Sequence, residues 1–137
     1  MDPDLIAAYR NTDYRIDVSP PVIARIDEAS TALDALLRAH GVTTAVFITA
    51  FNPFSRPLGD DANARAQTRL IATLAADGRA TLPGLGIGRG GDWPPEPSVL
   101  ALGLSRAEAE ALGRACRQNA VVWIEIGRPP ELMLTAP

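Results

Sequence analysis

Residues 42–50 read Val-Thr-Thr-Ala-Val-Phe-Ile-Thr-Ala, and this stretch decides the fold. Its apolar and β-branched residues occupy both alternating sets of positions, so an extended segment here has no polar face. A strand of this kind belongs in the interior of a sheet, with both of its faces covered. Asn52-Pro53 ends it, because proline cannot donate to a ladder of hydrogen bonds. The sequence therefore predicts an interior strand at 42–50.

Three other segments have the apolar spacing of helices that would cover such a sheet. The first follows a cap at Ser30 or Thr31, and the third opens with the capping box Ser105-x-x-Glu108. The second is the longest and repeats apolar residues every three or four positions. We therefore predict about three packed helices, near 31–40, 61–77 and 105–117.

The remaining segments predict short strands around this core. Alternating residues indicate a hairpin at each end of the chain, and a short helix near 5–10 precedes the first hairpin. Residues 81–97 hold five glycines and four prolines and are predicted to form a loop. The order αββαβα-loop-βαββ favours a single α+β domain over 1–137 with a mixed or mainly antiparallel sheet. The other predicted strands are 14–18, 22–26, 98–104, 119–126 and 132–135.

The composition fits one globular domain and restricts its partners. With 137 residues, 47% of them hydrophobic and 21% charged, the chain can build one core and is too apolar for disorder. The net charge is -3 and the 13 basic residues, all arginines, are scattered, so no nucleic-acid partner is expected. No apolar run is long enough for a membrane span, the acidic start is unlike a signal peptide, and one cysteine fits a reducing compartment. We therefore expect a soluble cytoplasmic protein.

The usual cofactor and metal motifs fail on inspection. Residues 86–91 match G-x-G-x-x-G letter for letter, but Pro94-Pro95 follow where that motif needs the start of a helix. The one histidine, His40, lies on the apolar stripe of its helix, and Cys116 is the one cysteine. A zinc site of the Cys/His type is therefore excluded. We predict no cofactor and no metal site.

Polar side chains gather instead where the predicted strands begin and end, a common place for ligand sites. The segment 93–97 holds a carboxylate between prolines directly before a strand, which restricts its position. We expect Glu96 to be buried beside Asn52 or Asn119, hydrogen-bonded to one of these amides. The alternative is that these groups only satisfy backbone groups of the loops. The candidate ligand-binding residues are Asn52, Arg56, Asn63, Trp93, Glu96, Gln118 and Asn119.

Several motifs occur in order along the chain, and they are Tyr9 with Thr12 and Tyr14, Phe47-Ile48-Thr49-Ala50-Phe51-Asn52-Pro53, Asn63, Gly84 with Gly86, Trp93-x-x-Glu96-Pro97-Ser98 and Gln118-Asn119-Ala120-x-x-Trp123. Together they resemble the bacterial domain-of-unknown-function family 3293. The resemblance spans nearly the whole chain, although Phe51 stands where many members have tryptophan. It implies a small single-domain bacterial protein, supplies no activity, and singles out the same polar residues.

Two functions stay open on the sequence. The first is a pocket for a small polar or anionic ligand, in which Arg56 meets an anion and Glu96 supplies acid–base chemistry. One acid without histidine, cysteine or lysine is a poor catalytic set, so we favour binding over turnover and name no reaction. The second is an interaction or regulatory module that uses the edge strand 132–135 or the Trp93 loop to bind a protein partner or a second copy. Convergence of the polar side chains in one cleft would favour the first.

Overall fold

The computed structural model describes residues 1–91 and 93–135, which form one seven-stranded sheet with four α-helices. In chain order the elements are α1 Pro3–Arg10, β1 Thr12–Ile16, β2 Val22–Ala24, α2 Thr31–Ala39, β3 Thr44–Ile48, a 3-10 turn Pro53–Ser55, α3 Asp60–Ala76, β4 Thr81–Gly88, β5 Glu96–Leu102, α4 Arg106–Ala115, β6 Ala120–Glu125 and β7 Glu131–Leu134. The strand order is β2-β1-β4-β5-β3-β6-β7, and every neighbouring pair is antiparallel. The predicted α+β class is confirmed.

The strand β3 lies in the interior of the sheet, as its sequence predicts. It pairs with β5 on one side and with β6 on the other. Ala45 and Phe47 face one core cluster, whereas Val46 and Ile48 face the other, and all four are buried. The two apolar faces of β3 therefore pack into two separate layers.

The three longer helices lie where the sequence predicts them. Helices α3 and α4 cover one face of the sheet, and α2 packs Leu33 and Leu37 onto the other. Helix α4 begins with the predicted capping box, in which Ser105 and Glu108 bond each other's backbone N–H groups. Within residues 1–91 and 93–135, none of the helices has both the length and the apolar character needed to cross a membrane.

The loop predicted across 81–97 is wrong over its first half, where β4 forms and pairs with both β1 and β5. One of the glycines on which the loop prediction rested, Gly84, is explained by packing within the sheet. A Cβ at Gly84 would lie 2.7 Å from the Arg15 carbonyl oxygen and 2.7 Å from the Phe47 ring. Glycine is required there because neighbouring groups approach closely, and no turn is involved.

Helix α2 covers only one end of its face of the sheet. At the other end β1, β5 and β6 begin and β3 and β4 finish, because neighbouring strands are antiparallel. Helix α1 borders this end, with Tyr9 packed against the core and none of its own residues fully buried. An open depression remains beside α1, and we call it the strand-end cleft.

Candidate functional site

The strand-end cleft has a volume of about 730 Å³. Strands β1, β3, β4, β5 and β6 contribute to its floor, while α1 and the turn after β3 contribute to its walls. Gly86 and Gly88 have no side chains to fill the cleft above this floor, and a Cβ added at Gly88 would meet no atom within 4 Å. The residues that line the cleft include Leu5, Ala8, Tyr9, Tyr14, Phe47, Asn52, Ser55, Gly86, Gly88, Trp93, Glu96, Ser98, Gln118 and Val122.

A carboxylate at the rim of the cleft is held by two side chains. The Trp93 indole N–H donates to Oε2 of Glu96 at 2.8 Å, and the Asn52 side-chain amide donates to the same oxygen at 2.8 Å. Glu96 is the first residue of β5 and is paired with Gly86 of β4, so the sheet fixes its backbone. Oε1 accepts no hydrogen bond from the described residues. The carboxylate is therefore oriented at one oxygen and open at the other.

Asn52 is itself held from behind by the start of α3. Its Oδ1 accepts from the Asn63 side-chain amide at 2.8 Å and from the Leu58 backbone N–H at 3.1 Å. Its own backbone N–H donates to Oδ1 of Asn63 at 2.9 Å. With its oxygen occupied in this way, the amide nitrogen of Asn52 is directed at Glu96.

The backbone between β3 and α3 is unusual for residues other than glycine. Asn52, Phe54 and Ser55 have φ values of 47°, 54° and 61°. Asparagine tolerates this left-handed region, whereas Phe54 and Ser55 held there cost about 1–3 kcal/mol each. The turn is fixed by a 2.6 Å hydrogen bond from the Phe54 N–H to the Arg117 carbonyl. Such strain persists only where the surrounding structure determines it, and it is common at ligand sites.

The predicted amides at 118–119 support this turn. The Gln118 side chain donates to the Phe51 carbonyl at 3.1 Å, and Asn119 donates to Oγ of Ser55 at 3.0 Å. Gln118 lines the cleft, but its side chain donates to the backbone carbonyls of Phe51 and Cys116. This agrees with the alternative that these amides satisfy backbone groups of the loops.

The structure brings most of the predicted site residues together. Asn52, Trp93, Glu96 and Gln118 line the cleft, and the predicted contact between Asn52 and Glu96 is present. Asn63 and Asn119 lie behind the lining and hold the turn. Arg56 is exposed and lies outside the lining, because the turn of left-handed residues before it changes the direction of the chain.

Trp93 is the one aromatic side chain of the described cleft lining that the sequence predicted as a site residue, and three others were not predicted. Tyr9, Tyr14 and Phe47 line the cleft beside Trp93, and the Tyr14 hydroxyl donates to the Tyr9 carbonyl at 2.8 Å. The rings of Tyr14 and Phe47 meet edge to face, with centroids 5.3 Å apart. Tyr9 and Tyr14 appear among the motifs of the family resemblance, and that signal could have identified them.

The Glu96 carboxylate affects the pKa of both tyrosines of the cleft. Burial raises the pKa of Tyr9 most, the charge of Glu96 raises it further, and the Ser55 side chain and the Ala120 backbone act in the opposite direction. Burial likewise raises the pKa of Tyr14, with a smaller effect of the same sign from Glu96. Both hydroxyls therefore stay neutral hydrogen-bonding groups over the ordinary pH range.

The lining is acidic and carries no counter-charge. Asp4 and Glu96 are charged, and no arginine of the described segments lines the cleft. In the same segments, no group of three or more His, Cys, Asp or Glu side chains is placed to hold a metal ion. The G-x-G-x-x-G stretch, residues 86–91, consists of the last three residues of β4 and the turn after it, and Gly86 and Gly88 form part of the cleft floor.

The comparisons with known proteins give a family and nothing finer. Residues 48–121 match the family described as "Protein of unknown function (DUF3293)". This segment contains Asn52, Asn63, Trp93, Glu96 and Gln118, and leaves out α1 with its tyrosine. No curated protein matches the chain, and neither does any solved structure.

Proposed function

We propose that this chain, which belongs to the DUF3293 family of proteins of unknown function, binds a small molecule in the strand-end cleft. The observation that carries the proposal is the Glu96 carboxylate. Trp93 and Asn52 hold one of its oxygens, the other has no donor among the described residues, and Glu96 lines a cavity of about 730 Å³. Ligand cavities have volumes of about 300–1,000 Å³, with a few placed polar groups on an apolar lining.

Glu96 differs from the other polar residues of the site in what it bonds. The side chain of Gln118 bonds backbone carbonyls, which is a structural role. The Glu96 carboxylate accepts hydrogen bonds only from side chains among the described residues, those of Asn52 and Trp93. Asn63 in turn orients Asn52 through two hydrogen bonds. Ligand sites need binding groups whose own neighbours are held in place by further hydrogen bonds, as Asn52 is here.

Binding is a better reading than turnover. The cleft offers one ordered carboxylate and two neutral phenols. Burial raises the pKa of the Cys116 thiol to about 11, so it remains protonated and is a poor nucleophile at neutral pH. Glu96 therefore stands as a recognition group.

The alternative of an interaction module rests on a smaller feature. Strand β7 forms one edge of the sheet with four residues, and its Leu134 is 49% exposed. Edges this short are one way in which proteins avoid pairing with other chains. The Trp93 loop is tied to Glu96 through the indole, so it too is better explained by the cleft.

The proposal is tested by blocking the cleft without disturbing the fold. Gly88→Leu adds a side chain where a Cβ has free space, and Gly88 is not among the residues with a positive φ. Ala64→Leu adds the same group on the exposed surface of α3, outside the lining, as a matched control. A metabolite library is screened against all three proteins by ligand-observed NMR, with melting temperatures as a check on folding.

We expect compounds whose binding is lost in Gly88→Leu and retained in Ala64→Leu. If no compound in the library shows that pattern while both variants remain folded, the proposal of a ligand site in the cleft is wrong.

A further inference from the structure

We infer that the ligand of the strand-end cleft carries a primary or secondary ammonium group on an apolar body. This inference rests on the proposed function and specifies its chemistry. Three features of the cleft lead to it: the charge of the lining, the free oxygen of Glu96, and the aromatic side chains.

The charge of the cleft is negative and is left uncompensated by the chain. Of the 13 arginines, eight form ion pairs with acidic side chains elsewhere in the described segments. Arg89 stands between cleft glycines in the sequence, yet its guanidinium lies 3.4 Å from Asp13 and donates to the Arg10 carbonyl at 3.0 Å. Arg10 in turn pairs with Asp27. Arg89, which follows the cleft residue Gly88, and Arg10, which follows the cleft residue Tyr9, thus bind groups other than Glu96.

The free oxygen of Glu96 can accept a hydrogen bond from a ligand. Trp93 and Asn52 are neutral donors, so they orient the carboxylate without neutralising it. A carboxylate that is partly removed from water gains most from a charged N–H donor, since charge-assisted hydrogen bonds are about twice as strong as neutral ones. An ammonium group supplies both the donor and the missing positive charge.

The aromatic content of the chain is concentrated at this place. Four of its seven aromatic residues line the cleft, namely Tyr9, Tyr14, Phe47 and Trp93. Aromatic rings around a cavity attract organic cations through their quadrupoles, and they offer nothing comparable to an anion. The anionic ligand predicted from Arg56 is therefore disfavoured, because that arginine lies outside the lining.

The rest of the ligand faces a largely apolar lining. Beyond the carboxylate the lining includes Leu5, Ala8 and Val122, and at Gly86 and Gly88 the floor carries no side chain. A cavity of about 730 Å³ is far larger than an ammonium group and accepts a molecule of ordinary metabolite size. The ligand is thus an alkyl- or arylalkylamine in its chemical class.

The test compares probes that share a body and differ in the head group. 2-Phenylethylamine, 2-phenylethanol, 3-phenylpropanoate and the trimethylammonium analogue of the amine are titrated at neutral pH by chemical-shift perturbation. We expect the amine to bind about tenfold or more tightly than the alcohol, and the carboxylate to bind weakest. The quaternary analogue cannot donate to Glu96, and it should fall below the amine.

Two variants locate the effect. Glu96→Gln keeps an oxygen that accepts from Trp93 and Asn52, so it should stay folded while the amine's advantage over the alcohol disappears. Glu28→Gln removes an equal charge from an exposed position outside the cleft and should preserve that advantage.

The outcomes separate this inference from the proposed function. Equal binding of amine and alcohol, tighter binding of the carboxylate or the quaternary analogue, or no amine binding at about 10 mM would overturn the ammonium assignment. If Gly88→Leu still blocks other compounds in those cases, the ligand site itself stands. If Gly88→Leu leaves all binding unchanged, the proposed function fails first.

Discussion

Gly84 and Gly88 lie on the same face of β4, four residues apart, and their surroundings are opposite. At Gly84 an added methyl group would collide with a backbone carbonyl and with the Phe47 ring, whereas at Gly88 it would meet nothing within 4 Å. The first glycine belongs to the packed half of the sheet, the second to the strand-end cleft. Packing therefore explains why glycine is needed at position 84, in the packed half of this face. It does not explain the glycine at position 88, in the half that forms the cleft. The predictions below test that difference.

The largest effect is expected from truncating the packed half. Leu37 of α2 is fully buried, so Leu37→Ala should lower the free energy of unfolding by about 2–5 kcal/mol. Leu5→Ala makes the same change in the half-buried wall of the cleft and should cost less than about 1 kcal/mol. Urea denaturation measures both, and equal losses would remove the distinction between the two halves.

The next effect compares the two glycines directly. Gly84→Ala should destabilise the protein by about 1–3 kcal/mol, because the neighbours at 2.7 Å have to move. Gly88→Ala should be neutral or slightly stabilising, since alanine loses less conformational freedom than glycine in a strand. Thermal melts of the two variants provide the measurement, and a stable Gly84→Ala would show that the packed half is looser than described.

The third effect is at the boundary between the halves. Asn63→Ala removes both of its hydrogen bonds with Asn52 and should cost about 1–3 kcal/mol. Asn63→Asp keeps the acceptor for the Asn52 N–H, but it places a buried carboxylate oxygen against Oδ1 of Asn52 and should cost at least as much. Beyond stability, both variants should weaken amine binding, because Asn52 then loses a group that directs it at Glu96. Unchanged binding in a folded Asn63→Ala would show that this support is unnecessary.

The smallest effect is expected at high pH. The folded protein holds the Tyr9 proton above the ordinary pKa of 10.0, so the unfolded chain ionises first and stability falls as pH rises past 10.0. Tyr9→Phe should reduce this fall, and Tyr14 should maintain part of it because burial raises its pKa as well. Urea midpoints at about pH 9 and about pH 11 compare the two proteins.

The comparison in that pH range is made in a Cys116→Ala background. Burial raises the pKa of the Cys116 thiol to about 11, so it titrates over the same interval with the same sign. If the urea midpoint of the protein that retains Tyr9 is the same at both pH values, the burial of Tyr9 beside the cleft is contradicted.

Much of the fold follows from local pattern. The two apolar faces of 42–50 indicate an interior strand, and the capping box at Ser105 indicates where α4 begins. The strand β4 escapes such reasoning, because Gly84 in it reflects crowding by β1 and Phe47, which are distant in sequence. Composition alone does not distinguish a glycine of a loop from a glycine of a crowded strand.

The site is predictable to the extent that strand ends meet. Asn52 and Glu96 are 44 residues apart and join because antiparallel strands β3 and β5 are neighbours. Arg56 lies outside the lining, and its place depends on the positive φ values of Asn52, Phe54 and Ser55, of which the last two are not residue types that indicate a left-handed turn. Tyr9 is missed for a related reason, since the docking of α1 is a tertiary contact without a local signal.

The absence of fully buried residues in α1 has a consequence for how the protein opens. A helix of eight residues is marginal by itself, so α1 should separate from the sheet locally at a lower free energy than α2, which is anchored by Leu37. Its backbone amides should therefore exchange with deuterium much faster than those of α2. A molecule that contacts Leu5 and Tyr9 would hold α1 in place and slow that exchange. Deuterium uptake along residues 3–10 would then report occupancy of the cleft before the occupant has been identified.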